Sequence, residues 1–360
     1  MSSPRRPATL PSVLLAALAA FLPAAVAGGQ PAAQAAATQP AATQPAATQP
    51  AGISTRYPGD AGIAQDPAVL LHEDFESPAV DKAKWTSLTP EPGILKLTDK
   101  TLDVHAGRQS LEISATMGKD TGGYLFKRFK DGCDKMYARF CVKFAEDTDY
   151  IHHFVRVVAD EPPAPWPDGR AGIKPAGDDR FSVAIEPWSR WGRYPKPGGW
   201  HFYCYWWKMP PSKDGKFWGQ DFSDQAYAVP QPGKWYCVEL MAKCNTPGRD
   251  DGEAAFWLDG VPLAQHKGIN WRSSEKLKLN GFWLLYYMTS QEAKDSKPGK
   301  VNRAWFDDIV VATDYVGPPA PGASAPPAPQ AAPEGTPTYR LKERVRDVMG
   351  QVERKTVPDE

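Results

Sequence analysis

Histidine, tyrosine, arginine and lysine side chains alternate with apolar ones in several short segments of this 360-residue chain. Side chains of these types can carry acid–base chemistry beside a bound anion. An arginine or asparagine neutralises a carboxylate, a histidine or lysine removes a neighbouring proton, and a tyrosine returns a proton to a leaving oxygen. The candidates on the polar faces of these segments are Tyr137, Arg139, Lys143, His152, His153, His201, Tyr203, Tyr205, Glu239, Lys243 and Asn245.

β-Strands are expected to position these side chains, because polar and apolar residues alternate with a period of two. In residues 235–245 one face is uniformly apolar and the other is mostly polar, and residues 136–144 repeat this pattern. Residues 150–158 must place one of the rings of His152 and His153 on each face. We therefore expect the polar face of such strands to meet a polar ligand.

The remaining strands are short and are separated by turn residues. A turn at 246–252 and the hairpin signal Asp259-Gly260 flank one of them. No strong helical period occurs before residue 338, so the pattern predicts an all-β fold, a two-sheet antiparallel β-sandwich of the jelly-roll type. The strands are expected at residues 70–76, 111–115, 124–129, 136–144, 150–158, 181–185, 201–209, 235–245, 253–258, 282–288 and 304–313.

The two ends of the chain differ from this middle part in composition. Residues 1–27 are typical of a secretory signal, with two arginines before an apolar run, and predict export to the periplasm, the cell surface or the medium. A membrane anchor is the alternative; after signal removal we expect no membrane span. Residues 28–67 and 318–337 are predicted to be disordered linkers, and residues 338–360 a short amphipathic helix that frays or docks on an unknown partner.

Charge and cysteine content restrict the function further. The 42 basic and 42 acidic residues balance, which argues against nucleic acid as a partner. The chain has five cysteines, so at most two disulfides can form in an exported protein. Cys237 and Cys244 face opposite sides of one strand and cannot pair with each other. Small buried side chains are the favoured interpretation of the five.

Several motifs in the carboxyl-terminal half resemble the concanavalin A-like lectin/glucanase superfamily. The nearest resemblance is to its jelly-roll polysaccharide lyases, which cleave alginate or glucuronan. The resemblance covers about residues 68–317 and implies an acidic polysaccharide as substrate, with cleavage by β-elimination. The matching residues are Trp235-Tyr236 with Glu239, Asn245-Thr-Pro-Gly248, Asp251-Gly252, Trp257-Leu-Asp-Gly260 and residues 305–312.

The resemblance also implies which residues form the site. His153 would be the base, Tyr205 the acid, Arg139 with Asn245 the carboxylate clamp, and Lys243 a reserve base. These side chains would have to converge in one open trough on a curved sheet. Substrate-binding roles are expected for Tyr137, Lys143, Glu186, Trp188, Trp191, His201, Tyr203, Trp207 and Glu239.

Each assignment has a structural alternative. A strand histidine can be a hydrogen-bonded structural residue, Tyr203 and Tyr205 can form an aromatic ladder, and Arg139 or Lys143 can pair with Glu239 across strands. The Gly-rich Lys-Leu-Pro-Gly segment expected after Phe144 is not present in the sequence.

Other functions stay open beside the lyase. A non-catalytic glycan-binding module would use the tryptophans and the histidine–tyrosine face without turnover, and a structural cell-surface domain is a third hypothesis. Retaining glycosidases need paired carboxylates on one strand, a string that the sequence lacks. No cofactor is required. A structural Ca²⁺ held between the first and last strands is an additional hypothesis, with solvated carboxylates as its alternative. Glu73, Asp74 or Glu76 could meet Asp307 or Asp308 there, and Glu76 with Asp307 is the favoured pair.

Overall fold

The computed structural model of the protein describes residues 51–165 and 170–321. The predicted signal peptide, most of the first linker, nearly all of the second linker and the carboxyl-terminal helix lie outside these residues. In the part of the chain that is described, no helix is both long and apolar enough to cross a membrane.

The described residues contain fourteen strands and four short 3₁₀ helices, joined by turns and loops. The 3₁₀ helices are Ile53–Arg56, Pro58–Asp60, Ile63–Gln65 and Thr101–Asp103. The strands are β1 Val69–Glu73, β2 Ser87–Leu88, β3 Leu95–Thr98, β4 Ser110–Thr116, β5 Gly122–Cys133, β6 Lys135–Phe144, β7 Arg156–Asp160, β8 Arg180–Trp188, β9 Gly199–Tyr205, β10 Trp235–Lys243, β11 Gly252–Leu258, β12 Val261–Ile269, β13 Leu279–Tyr287 and β14 Val301–Ala312.

These strands form two antiparallel sheets. The eight-stranded sheet has the order β12-β11-β10-β6-β14-β4-β3, and β1 also pairs with β14. The six-stranded sheet has the order β2-β5-β13-β7-β8-β9. The predicted fold class, an all-β two-sheet sandwich, is confirmed.

The hydrophobic core lies between the inner faces of the two sheets. Alternate residues of β6, from Met136 to Phe144, and of β10, from Tyr236 to Ala242, belong to one buried cluster with Val183 and Phe202 of the other sheet. The inward half of the predicted alternation is therefore confirmed in both strands. Burying these side chains stabilises the fold by roughly 1.5–3 kcal/mol each for the larger ones.

The hairpin between β11 and β12 forms where Asp259-Gly260 predicts it. Asp259 has φ 51° and Gly260 has φ 77°, the positive values that a two-residue type I′ turn requires. Pro262 lies in β12, an edge strand, where the missing N–H does not interrupt an inner ladder.

The strand expected at residues 150–158 is shorter in the structure. Only Arg156–Asp160 forms β7. The N–H groups of His152 and His153 both donate to one carbonyl oxygen, that of Tyr287, at 2.9 and 3.1 Å. Two successive donors on one acceptor cannot continue a regular ladder, so the histidines lie just before the strand.

The folded part of the chain also begins before residue 68, the boundary expected from composition. Ile53 and Ile63 are buried against Val310, Ala312 and Val316 on the outer face of the eight-stranded sheet. Residues 53–66 lack the Ala-Ala-Thr-Gln-Pro repeat of the preceding segment and contain apolar side chains to bury. The linker predicted from composition, residues 28–67, therefore ends too late.

Candidate functional site

The outer face of the six-stranded sheet gathers polar and aromatic side chains from β7, β8 and β9. In each strand these residues alternate with core residues. Arg156 lies opposite Ala184 in the β7–β8 register, and Ala184 lies opposite Tyr203 in the β8–β9 register. The small alanine side chain leaves room between the arginine and the tyrosine.

Glu186 of β8 is the buried anion at the centre of this face. Its carboxylate accepts hydrogen bonds from Arg156 Nη2 at 3.1 Å and from the backbone N–H of Phe154 at 3.3 Å. His153 Nδ1 lies 3.2 Å from both carboxylate oxygens. Burial by itself raises the pKa of Glu186, but the His153 ring and the Arg156 guanidinium outweigh burial and bring the pKa below its ordinary value. Glu186 is therefore an anion that orients its two neighbours.

His153 is held in the geometry of a general base. With Nδ1 donating to Glu186, Nε2 carries the lone pair and stays available for a proton. About 24% of the His153 side chain is exposed. Its ring stacks on Tyr287, with centroids 5.8 Å apart, and lies 5.0 Å from the ring of Tyr203.

The neighbouring His152 has a different role. Burial, followed by the effect of the adjacent His153, lowers the pKa of His152 to about 4. Its Nδ1 lies 3.0 Å from Thr289 Oγ1, and its ring stacks on His153 at 4.2 Å. His152 is thus a neutral ring that supports His153.

Two tyrosines of β9 lie on the same face as His153, and the ring of one, Tyr203, is next to the His153 ring. The hydroxyl oxygens of Tyr203 and Tyr205 lie 3.2 Å apart. Burial, with the neighbouring Tyr205 second, raises the pKa of Tyr203 above its ordinary value. Tyr203 therefore keeps its proton and can donate a hydrogen bond to Tyr205 or to a ligand.

Arg156 is the charged residue of this cluster that sequence reasoning missed. Its guanidinium lies over the Trp283 ring at 5.1 Å, and Nε has no hydrogen-bond partner among the described residues. About 11% of the side chain is exposed. The signal available in the sequence was a lone basic residue between valines of an apolar strand.

Three predicted catalytic residues belong to the other sheet or, for Asn245, to the turn that follows its strand β10. Arg139 is fully buried and paired with Asp60, and Lys243 pairs with Glu253 at 3.0 Å. Asn245 is buried and donates to the carbonyl of Arg272 at 2.9 Å. The expectation that Arg139 and Asn245 converge with His153 and Tyr205 is therefore wrong. Sequence periodicity identified an outer face but not which of the two sheets carries it.

The predicted binding residues of β6 and β10 are also engaged internally. Lys143 Nζ lies 2.7 Å from Asp103 and 4.6 Å from the Trp305 ring centroid. Tyr137 packs against Trp257. Glu239 accepts the backbone N–H groups of residues 316 and 317 at 2.8 and 2.9 Å, and burial raises its pKa to about 7. The outer face of these strands meets other parts of the chain rather than a ligand.

Two of the predicted aromatic residues stay accessible. Trp191 is 85% exposed, and its ring meets Trp188 edge-on with centroids 4.9 Å apart. His201 is buried and paired with Asp221, while Trp207 Nε1 donates to Asn270 at 3.0 Å. Trp188, the partly buried last residue of β8, and the exposed Trp191 therefore form an aromatic pair at the end of this strand, whereas His201 and Trp207 have structural contacts.

Glu76 and Asp307, the candidate calcium ligands, both receive backbone donors from the loop 105–109. Glu76 Oε1 accepts the N–H of Arg108 at 2.7 Å and that of Gln109 at 2.9 Å. Asp307 Oδ2 accepts the N–H of His105 at 3.1 Å. These contacts hold both carboxylates in place without a cation, so Ca²⁺ at this position stays a prediction.

The fold and site define a two-sheet antiparallel β-sandwich with a histidine, arginine and tyrosine cluster on the outer face of one sheet. No family model matches the chain. No curated protein matches it either.

Solved structures of polysaccharide lyases are similar to it. They include alginate lyase Aly36B, with TM-score 0.44 and 14% identity over 59% of this chain and 84% of that one. The endo-β-1,4-glucuronan lyase of the fungus Trichoderma reesei has TM-score 0.47 and 14% identity over 68% and 98%. Alginate lyase vAL-1 from Chlorella virus has TM-score 0.49 and 15% identity over 68% and 99%. The likeness is one of fold.

Proposed function

We propose that the chain is a polysaccharide lyase that cleaves an acidic glycan by β-elimination, with its active site on the outer face of the six-stranded sheet. The supporting observation is one constellation: His153 held by Glu186, beside Arg156 and the hydroxyl pair of Tyr203 and Tyr205. These side chains supply the three roles that the reaction needs: an anion clamp, a base and an acid.

The reaction would begin with Arg156 binding the carboxylate of a uronate unit. Neutralising that charge makes the proton on the adjacent ring carbon more acidic. His153 Nε2 then removes this proton, and the electron pair of the broken carbon–hydrogen bond forms a carbon–carbon double bond. The bond to the glycosidic oxygen breaks at the next carbon, and the Tyr205 hydroxyl protonates the departing oxygen.

Glu186 stabilises the protonated form of His153. When His153 takes the proton it becomes an imidazolium 3.2 Å from the Glu186 carboxylate. A carboxylate on Nδ1 both orients the ring and favours its protonated form. Tyr203 donates to Tyr205 and so stabilises the phenolate that forms when Tyr205 gives up its proton. Transfer from His153 to Tyr205, through water, restores the starting state.

The test follows the unsaturated product, which absorbs in the ultraviolet. Purified protein is incubated with alginate, glucuronan and pectate, and absorbance is followed with time. Product is expected with at least one polymer and is expected to vanish in His153→Ala and Tyr205→Phe. Tyr124→Phe is the matched control, because it removes a hydroxyl from β5 of the same sheet, four strands from β9. An inactive native chain, or variants as active as it, would overturn the proposal.

A non-catalytic glycan-binding module is the second candidate, favoured by the exposed ring of Trp191, which meets the partly buried Trp188. Exposed tryptophans present a flat apolar face on which sugar rings stack. Retention of the protein on an insoluble glycan, without any rise in absorbance on the three polymers, would select this function. Export, predicted from residues 1–27, places either function outside the cytoplasm and is part of the proposal.

A further inference from the structure

A cluster of metal-ligating side chains lies on the outer face of the eight-stranded sheet, outside the proposed catalytic site. One ligand atom each from His105, Cys141 and Asp308 lies within 4.8 Å of the other two. Cys237 is directly opposite Cys141 in the β6–β10 register, so the two thiols lie on the same face of the sheet. Three strands and one loop therefore bring two sulfurs, an imidazole and a carboxylate together.

The backbone around this cluster orients the side chains of Asp308 and His105 towards each other. A β-bulge between Asp307 and Val310 interrupts the β14–β6 register, and Asp308 has φ 48° at this bulge. Bulges re-aim side chains, and here the Asp308 carboxylate lies 2.6 Å from His105 Nδ1. Asp307 accepts the backbone N–H groups of His105 and Ala106, which holds the histidine loop over the strands.

The donor set is the kind that zinc selects. Zn²⁺ takes thiolate, imidazole and carboxylate ligands in a tetrahedron, with bonds of about 2.0–2.3 Å. Such bonds place neighbouring ligand atoms roughly 3.3–3.8 Å apart. The ligand atoms of His105, Cys141 and Asp308 lie within 4.8 Å of one another, so small shifts bring these three into range. Cys237 would complete the set from its position opposite Cys141. A hard ion such as Ca²⁺ takes oxygen ligands and would leave the two sulfurs unused.

The charge of the surroundings is also suitable. Two thiolates and one carboxylate around a divalent cation leave one net negative charge. Arg139 is the next residue of β6 on the same face, is fully buried, and has Nε and Nη1 without partners among the described residues. Its guanidinium therefore has donors to spare for the thiolates, beyond its pair with Asp60.

We propose that His105, Cys141, Cys237 and Asp308 bind one zinc ion. All four ligands come from the protein, so the site is closed and structural rather than catalytic. Binding releases the two thiol protons to solvent and ties the loop 105–109 to three strands. In an exported chain, the metal would also protect the facing thiols from oxidation.

Cobalt titration of the untagged, metal-free full chain tests this site. Co²⁺ bound to thiolates gives an intense charge-transfer band, and one equivalent is expected to develop that band and to be displaced by Zn²⁺. Cys141→Ser and Cys237→Ser should each abolish it. Cys204→Ser is the matched control, since this buried thiol belongs to the core cluster on the other sheet.

His105→Ala keeps the test valid if the cysteine variants do not fold. This residue lies in a loop, so its removal leaves the strands intact, and we expect cobalt affinity to fall roughly tenfold or more. No band in the native chain, a band that persists in either cysteine variant, or a Cys141–Cys237 disulfide found by mass spectrometry in the isolated protein would overturn the proposal.

Discussion

Arg139 and Arg156 occupy equivalent positions on the two sheets, each pointing outward from a central strand, yet they meet opposite surroundings. Arg139 is fully buried against Asp60, which belongs to the amino-terminal segment. Arg156 keeps about 11% of its side chain exposed and shares Glu186 with a partly exposed histidine. One outer face is covered by distant parts of the chain, and the other is left partly accessible.

The comparison shows what covering a polar face requires. Charges removed from water must be paired, or their pKa values shift towards the neutral form. On the covered face Lys143 pairs with Asp103, and Glu239, which has only backbone donors, has its pKa raised to about 7 by burial. On the outer face of the six-stranded sheet Glu186 is buried as well, but it is paired with Arg156 and His153, which keep 11% and 24% of their side chains exposed.

The largest expected effect is on catalysis by the accessible face. Arg156→Ala should lower kcat/KM by about 10²–10³-fold, because one preorganised donor to the developing charge is lost. The free energy of unfolding should fall by less than in the Asp60→Ala variant described below, because His153 and the Phe154 N–H still contact Glu186. Kinetics on the best polymer, with denaturant unfolding in parallel, checks both. If unfolding alone accounts for the loss, the contrast between the two arginines does not hold.

Breaking the buried pair of the covered face should act on stability instead. Asp60→Ala leaves the Arg139 charge buried without a carboxylate, and we expect a loss of about 3–5 kcal/mol in the free energy of unfolding. Arg56→Ala is the matched control, because its pair with Asp66 leaves the arginine 59% exposed; such pairs contribute about 0–1 kcal/mol. An equal effect of the two substitutions would contradict the proposed burial.

The free energy of unfolding should depend on pH through the protonation of Glu239. Burial raises its pKa to about 7 in the folded chain, so the folded state holds this proton between pH about 4.5 and 7 while the unfolded state has released it. Stability from this group is therefore complete at low pH and is lost as the pH rises through 7.

Glu239→Gln should remove that dependence. The difference in free energy of unfolding, variant minus native chain, should increase by on the order of 3 kcal/mol from pH 4.5 to pH 8. Denaturant titrations at several pH values measure it, with Glu112→Gln on β4 as control. A constant difference across this range would show that Glu239 is ionised in the fold.

The smallest expected effect concerns Trp191, the exposed member of the aromatic pair. Trp191→Ala removes a side chain that is 85% exposed, so the free energy of unfolding should not change. Glycan affinity should fall about threefold to tenfold, as expected for one stacking contact of roughly 0.5–1.5 kcal/mol. Trp218→Ala, another exposed tryptophan, serves as control in affinity electrophoresis. Unchanged mobility of Trp191→Ala would remove this residue from the binding surface.

Much of the fold and part of the site could be predicted from the sequence. The alternation of β6, β9 and β10 assigned inward and outward residues correctly, and Asp259-Gly260 marked its hairpin. His153 and Tyr205 were identified as neighbours on one face, and the structure brings them near each other through Tyr203. Arg139 and Asn245 were grouped with them wrongly, because the same alternation occurs in both sheets.

The sequence by itself determined which side chains of a strand point away from the core, since the side-chain period of a strand is a local property. Only the tertiary structure decided which of those outward faces is accessible. The groups that cover β6 and β10 are Asp60, Asp103, Val316 and Gly317. They come from segments far away in sequence, and local periodicity carries no information about such long-range packing.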